Sequence, residues 1–276
     1  MPELPEVETI ARAMRQGGRG GPPLVGRQIQ QASLLWPRTL AEPAPAELGP
    51  RICGQPVVDV GRRGKFILFQ LDPDTLLIHL RMSGDLVVEA QSDPVAPHHR
   101  LTLDLEGGLR LAFNDPRKFG RAWLVSDPAR ILAGLGPEPL DADFTAQELH
   151  RRLQSTRRQL KPLLLDQTFV AGLGNIYTDE ALHQAGLHPR QAANSVSQPQ
   201  AERLWESIRA VLLDGIQRQG ASIDWVYRGG DFQNYFRVYQ RTGQPCPVCG
   251  TAVERMVIGQ RGTHFCPVCQ ACPEGE

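Results

Sequence analysis

Met1-Pro-Glu-Leu-Pro-Glu-Val-Glu-Thr9 opens the chain, and everything downstream is best read against it. As local structure it starts a helix: proline in the first turn, acids near the positive end of the helix dipole, then Val7, Ile10, Ala11 and Met14 at helical spacing. As chemistry it is an amine among carboxylates. Aminopeptidases remove a methionine that precedes proline, so Pro2 is expected as a secondary amine at the chain end. Such an amine titrates near neutrality, whereas a lysine amine, with a pKa near ~10, is mostly protonated at pH 7. Its ring fixes φ. Attack on an aldehyde-like carbon would give a charged iminium that draws electrons from neighbouring carbons. Glu3, Glu6 and Glu8 stand within about one helical turn of that amine. The nine residues alone leave both readings open.

Outward from this helix, Gly17 to Pro23 is a glycine- and proline-rich breaker. Short β-like runs follow at Gln55–Val60, Lys65–Leu71, Thr75–Leu80, Leu86–Val88, Arg100–Leu105, Leu109–Phe113 and Ala122–Val125. Several alternate apolar with polar residues, as in Leu101-Thr-Leu-Asp-Leu105, which predicts a β-sandwich or barrel. Gly134 to Phe144 reads as a linker. Beyond it the period becomes helical: Thr145 with Glu148 makes a capping box, and Arg158–Leu165, Thr178–Ala185 and Ser197–Gln219 follow. The last puts Leu204, Ile208, Val211, Leu212 and Gly215 on one face. The expected class is α+β. A catalytic β-rich domain spans 1–135, a linker 136–145, a helical domain 146–235, and a cysteine module with its tail 236–276.

At 276 residues the chain is long enough for two cores. Hydrophobic residues make up 41% and charged residues 22%, which excludes a disordered chain. No apolar run approaches the ~18 residues of a membrane span, and acids stand where a signal peptide carries bases, so a cytoplasmic protein is expected. Net charge is zero, which weighs against a strongly basic nucleic-acid binder. Local charge points the other way. Arg151, Arg152, Arg157, Arg158 and Lys161 form a run without acids, and Arg237, Arg241, Arg255 and Arg261 face only Glu254.

Cys246-Pro-Val-Cys249 and Cys266-Pro-Val-Cys269 are the most specific physical signal. Two Cys-x-x-Cys knuckles at this spacing suit one Zn²⁺ held by four thiolates in a closed, structural site. A redox dithiol pair or surface disulfides are the alternatives. Ala252–Val257 and Thr263–Phe265 would form a hairpin, with Arg261 on a tip between glycines, suited to a phosphate or a groove. Cys53 and Cys272 are left over. Gly172-Leu-Gly-Asn-Ile-Tyr177 suits a phosphate at a helix N-terminus, with Asn175 as a further donor, or a plain tight turn. Asn114-Asp-Pro-Arg-Lys-Phe-Gly120 puts Arg117 and Phe119 on a turn. Side chains of that kind fill the hole left by a flipped base, though Phe119 in a core is the simpler reading. Met82, after His79-Leu-Arg, is a core residue by default. Arg62-Arg-Gly-Lys65 reads as the cationic start of a strand, for phosphate contact or for solvent.

Taken together and in order, these stretches resemble the bacterial formamidopyrimidine-DNA glycosylases, in the superfamily that includes endonuclease VIII. The resemblance runs from about residue 2 to 270. It implies an N-terminal β-sandwich, a C-terminal helix–two-turns–helix domain with a zinc-finger hairpin, and double-stranded DNA bearing a damaged base in a cleft between them. It implies a bacterial, cytoplasmic base-excision repair enzyme acting on oxidised purines by glycosylase and abasic-site lyase chemistry; a monomer is the default expectation, since one finger and one cleft suffice. By resemblance Pro2 forms the Schiff base and Glu3 is the general acid for ring opening. Lys65 donates a proton in β-elimination, and Arg261 serves δ-elimination. Met82, Arg117 and Phe119 fill the void. His98, Arg157, Lys161 and Asn175 contact the DNA backbone, and Cys246, Cys249, Cys266 and Cys269 hold the zinc. Three departures stand out. Gly220 to Gln233 is short and carries Trp225 and Tyr227, Arg81 stands where glycine is common, and so does Gln240. The short segment keeps oxidised pyrimidines open as substrates. A non-catalytic zinc-finger DNA-binding protein is the alternative from another class.

Overall fold

The computed structural model describes residues 1–222, 227 and 229–272. The chain divides into two compact units, Met1–Ala133 with Gln219–Gly230, and Gly134–Arg218 with Asp231–Glu276.

The first unit is built on α1 (Leu4–Gln16). Glu3 is its N-cap: its carboxylate accepts from the amide of Glu6, while the Glu6 carboxylate accepts from the Glu3 amide at 2.8 Å. Two glutamates thus make the reciprocal capping box and satisfy orphan donors of the first turn. Val7, Ile10, Ala11 and Met14 are buried as the spacing predicts, each burial contributing on the order of 1–3 kcal/mol. The strands that follow are β1 (Ile29–Leu34), β2 (Leu40–Glu42), β3 (Asp59–Arg63), β4 (Phe66–Gln70), β5 (Thr75–His79), β6 (Asp85–Ala90), β7 (His99–Leu105), β8 (Leu109–Asn114) and β9 (Arg121–Val125). Helices α2 (Pro45–Ile52) and α3 (Ala129–Leu132) complete the unit. One sheet has the order β1-β7-β8-β6, the other β2-β9-β5-β4-β3, antiparallel except for the β2/β9 pair. Leu101, Leu103, Leu111 and Phe113 of the first sheet share one apolar cluster with Ile67, Phe69, Leu76, Ile78 and Leu124 of the second. This is a sandwich, and α1 packs on β3 and β4.

Two readings change here. The strand expected from Gln55 begins at Asp59, because Pro56 has no N–H to donate to a ladder. Arg62 to Lys65 is not a strand start: Arg62 and Arg63 end β3, and Gly64, at φ 56°, turns the chain so that Lys65 precedes β4.

The second unit holds α4 (Ala146–Gln154), α5 (Leu160–Leu164), α6 (Asn175–Ala185) and α7 (Gln198–Gln217). Thr145 Oγ1 accepts from the Glu148 amide at 3.2 Å, the expected cap of α4. The predicted face of α7, from Leu204 to Gly215, is buried. The hairpin is β10 (Glu254–Ile258) with β11 (Arg261–Phe265). The stretch expected as a linker is instead packed into this unit. Phe144 is buried, its carbonyl accepts from Trp205 Nε1 at 2.6 Å, and Arg209 Nη1 donates to Pro139 O at 2.9 Å. Among the described residues no helix is long and apolar enough to cross a membrane.

Candidate active site and metal centre

Pro2, Glu3 and Glu6, at the start of α1, are all buried, and so is Lys65, between β3 and β4. The Glu6 carboxylate has a second task. Its Oε1 accepts from the Ala221 amide at 2.7 Å, while Oε2 holds the Glu3 amide. Residues 219–230, expected in the helical domain, are thereby tied to the first unit beside Glu3. Gly220 permits this approach, since a Cβ there would lie 2.6 Å from Glu6 Oε1 and its φ is +81°. Trp225, in the same segment, lies outside the described residues. Glu8 accepts from Arg62 Nε at 2.8 Å and from Arg12 Nε at 2.6 Å, so Arg62 serves α1 and is not a free phosphate-binding cation. His79 is held neutral. Burial, then the positive charges of Arg81 and Lys65, push its pKa down to about 3. Its Nδ1 accepts from the Arg81 amide at 3.1 Å.

The expected void-filling residues sit on two adjoining turns. Asp115 is buried. One carboxylate oxygen accepts from Ser83 Oγ at 2.6 Å and from the Arg117 amide at 3.2 Å, and the other accepts from the Gly120 amide at 2.7 Å. A single buried carboxylate therefore shapes the 114–120 turn and bolts it to the Met82–Gly84 turn. Met82 is half-buried, while Arg117 and Phe119 are exposed, with the guanidinium 5.0 Å from the ring centroid. An exposed phenylalanine on a rigid turn has no packing task of its own, which overturns the core reading of Phe119. His98 is exposed beside this turn, its carbonyl accepting from the Asp115 amide at 2.9 Å. Arg81 has a φ of 56° and Gln240 one of 57°. Both departures from the family pattern thus occupy left-handed positions that favour glycine.

In the second unit the basic run is largely neutralised. Arg151 and Arg152 both hold Glu148, at 2.7 Å each, and Arg158 holds Asp166 at 2.7 Å. Arg157 is exposed. Lys161 is a correction to the expected backbone contact. Its ammonium is fully buried, 2.6 Å from Asp179 and 3.0 Å from Gly262 O. Asn175 likewise donates to Gly262 O, at 3.1 Å. The Asp179 carboxylate also accepts from the His264 amide at 2.9 Å, and Glu180 accepts from the amides of Arg237, Val238 and Tyr239. Lys161 and Asn175 thus hold the hairpin at Gly262, the residue next to Arg261, which is exposed at its tip. No local spacing marks Asp179 or Glu180, because their partners lie far along the chain.

The four Sγ atoms of Cys246, Cys249, Cys266 and Cys269 lie within 4.8 Å of one another, with the 246/269 pair at 3.8 Å and the 249/266 pair at 3.4 Å. Tetrahedral zinc with bonds near 2.3 Å needs sulfurs about 3.8 Å apart. The set fits one zinc ion with no open position, so the metal holds the hairpin and leaves the chemistry elsewhere. His183 adds an outer contact, its Nε2 3.3 Å from Cys246 Sγ. Burial first, then Arg237 and Arg241, lower its pKa to about 4, leaving a neutral ring.

Family descriptions match along the chain: the formamidopyrimidine-DNA glycosylase N-terminal domain over residues 1–122, the formamidopyrimidine-DNA glycosylase H2TH domain over 135–226, and a zinc finger found in FPG and IleRS over 243–271. The chain belongs to the formamidopyrimidine-DNA glycosylase family. It is 42% identical over 279 residues to the formamidopyrimidine-DNA glycosylase of Protochlamydia amoebophila, covering 98% of this chain and 99% of that one. With the Chloroflexus aggregans enzyme of the same name it is 46% identical over 278 residues, 98% of each. Among solved structures it resembles a Lactococcus lactis Fpg variant in complex with Fapy-dG-containing DNA, with a TM-score of 0.90, 35% identity, and 98% and 100% of the two chains covered. The Lactococcus lactis Fpg in complex with abasic-site DNA gives 0.90 and 34% over the same shares.

Proposed function

We propose that this glycosylase removes oxidised purines from double-stranded DNA, 8-oxoguanine and formamidopyrimidines among them, and then cuts the strand by lyase chemistry. The observation that carries the reading is the double hold of Glu6, which fixes both the Glu3 amide at the start of α1 and the Ala221 amide. The reacting end of the chain is thereby rigid before substrate arrives.

The chemistry falls to few residues. With Met1 removed, the Pro2 nitrogen attacks C1′ and the base departs with the electrons of the glycosidic bond. Glu3 gives a proton to O4′ as the sugar ring opens, and the iminium forms. That cation acidifies C2′. Loss of the C2′ proton expels the 3′ phosphate, and a second elimination expels the 5′ phosphate. Lys65 assists the first elimination as proton donor, and Arg261, on the zinc-held hairpin, pairs with phosphate in the second. Met82, Arg117 and Phe119 fill the space left by the flipped nucleotide, with Arg117 toward the orphaned base. His98 and Arg157 contact phosphates. Lys161 and Asn175 act through Gly262 by setting the hairpin that bears Arg261.

Borohydride reduces such an iminium to a stable amine. Full-length protein with a processed N-terminus should give a covalent adduct on DNA containing 8-oxoguanine opposite cytosine, and protein that retains Met1, whose Pro2 nitrogen is tied up in an amide, should give none. Absence of the wild-type adduct overturns the mechanism. Stronger excision of thymine glycol than of 8-oxoguanine would move the substrate to oxidised pyrimidines.

A further inference from the structure

The turn of residues 114–120 is braced from outside as well as by its own Asp115. Arg100, in β7, is buried and makes three side-chain contacts. Its Nε donates to Asp115 O at 2.8 Å, its Nη1 donates to Pro97 O at 3.1 Å, and its Nη2 lies 3.4 Å from His98 Nδ1. An arginine only donates, so His98 Nδ1 is the acceptor. The neutral ring then carries its proton on Nε2, a donor suited to a phosphate oxygen. The Asp115 amide donates to His98 O at 2.9 Å and closes the circuit. One buried guanidinium therefore couples His98 to the turn that bears Arg117 and Phe119.

Arg100 reaches a second brace through its backbone. Its carbonyl accepts from the amides of Leu35 and Trp36, just past the end of β1, at 2.9 and 3.1 Å. The Trp36 ring in turn meets Lys118, whose Nζ lies 4.0 Å from the ring centroid. Lys118 stands between Arg117 and Phe119, and its φ of 62° is left-handed, where glycine is favoured. Trp36 Nε1 is buried with no acceptor among the described residues. An unpaired buried N–H costs stability, and phenylalanine would avoid that cost. What tryptophan adds is the aromatic face that holds a cation best. Lysine and tryptophan are each a costly choice at their own position, and the contact between them accounts for both. Nothing in the proposed elimination steps uses Arg100, Trp36 or Lys118.

We propose that Arg100, Trp36 and Lys118 are positioning residues for selection of the base opposite the lesion. Together they lock the 114–120 turn to the loop that bears His98, so that Arg117 meets the orphaned base at a fixed distance from the phosphate that His98 holds. The proposal rests on the glycosylase reading above. A guanidinium offers its donors in a rigid fork. Cytosine presents O2 and N3 as adjacent acceptors, whereas adenine presents one acceptor beside an amino donor. The fork tells the two apart only while the backbone that carries it is held in place. A loosened turn shifts to seat either base, so losing the brace lowers selection more than it lowers rate.

The test measures kcat/KM of purified full-length protein on duplexes carrying 8-oxoguanine opposite cytosine or opposite adenine. It compares wild type with Arg100→Gln, Trp36→Leu, Trp36→Phe and Lys118→Gln. Wild type should favour cytosine. The ratio of the two values should fall about fivefold or more in Arg100→Gln. It should fall about two- to fivefold in Trp36→Leu and Lys118→Gln, the worth of a cation–π contact. Trp36→Phe, which keeps a ring face for the ammonium, should retain most of the ratio. A purely structural or phosphate-binding role would lower both values equally. An unchanged ratio in Trp36→Leu and Lys118→Gln therefore overturns the proposal, even where Arg100→Gln fails to fold. So does a wild type with no preference for cytosine. A wild type that cuts neither duplex fails at an earlier point and overturns the glycosylase reading itself.

Discussion

His79 offers a test whose magnitude follows from its surroundings. Its ring is buried edge-on to Phe66 at 4.8 Å between centroids, with Arg81 and Lys65 nearby, and its pKa falls from 6.5 to about 3. A histidine with a depressed folded pKa contributes stability that is present above the unfolded value and lost as pH falls. The unfolded chain takes up the proton below 6.5 and the folded chain does not until about 3. Two units below the unfolded value, at about pH 4.5, the loss is about 2.5 kcal/mol. Denaturant unfolding of full-length wild type and His79→Gln should therefore show wild type losing about 2.5 kcal/mol more than the variant between about pH 7 and 4.5. Acid release of zinc is common to both proteins and cancels in the difference. Parallel pH curves for the two proteins would refute the argument.

Removing one partner of the buried Lys161–Asp179 pair leaves an uncompensated charge, so Lys161→Met should cost about 3–5 kcal/mol in unfolding free energy. Adding Asp179→Leu should restore much of it; a double variant no better than the single one would refute the pairing. Gln240→Gly relieves a left-handed side chain and should stabilise the protein by about 1 kcal/mol, seen as a Tm rise of about 2–4 °C. His183→Phe keeps the bulk of the ring but removes its contact with Cys246, and should speed zinc transfer to a colorimetric chelator about tenfold or more. An unchanged rate would show that the contact does not support the metal.

What the sequence disclosed depended on how far apart the partners lie. The first helix, the cap at Thr145, the apolar face of α7 and the four cysteines are written in spacings of a few residues, and each was legible. β1 was not, since Ile29-Gln-Gln-Ala-Ser-Leu34 alternates poorly and gains its place only by pairing with β7. α2 was hidden by Pro45, Gly49 and Pro50, although the first of these stands where a helix accepts proline. The run from Arg151 to Lys161 looked like a free cationic face because Asp166 and Asp179, which neutralise part of it, lie outside the run. The same distance effect hid Asp115 as the organiser of two turns and Arg100 as the donor that holds its carbonyl. The resemblance named the chemistry of Pro2 and Glu3, while the burial and the double hydrogen bond of Glu6 required coordinates.

The order in which the two units share the chain has a consequence for synthesis and dissection. The first unit is interrupted after Ala133 and resumes at Gln219, so a ribosome releases nearly all of the second unit's helices before the first can close. Until then the Glu6 carboxylate lacks the Ala221 amide, and the apolar cluster of the sandwich lacks Tyr227. No single cut yields both units whole. A fragment ending at Ala133 would be a sandwich with an unfilled seam, prone to association through that exposed apolar surface. The cell therefore completes the first unit only after the helices of the second have been made.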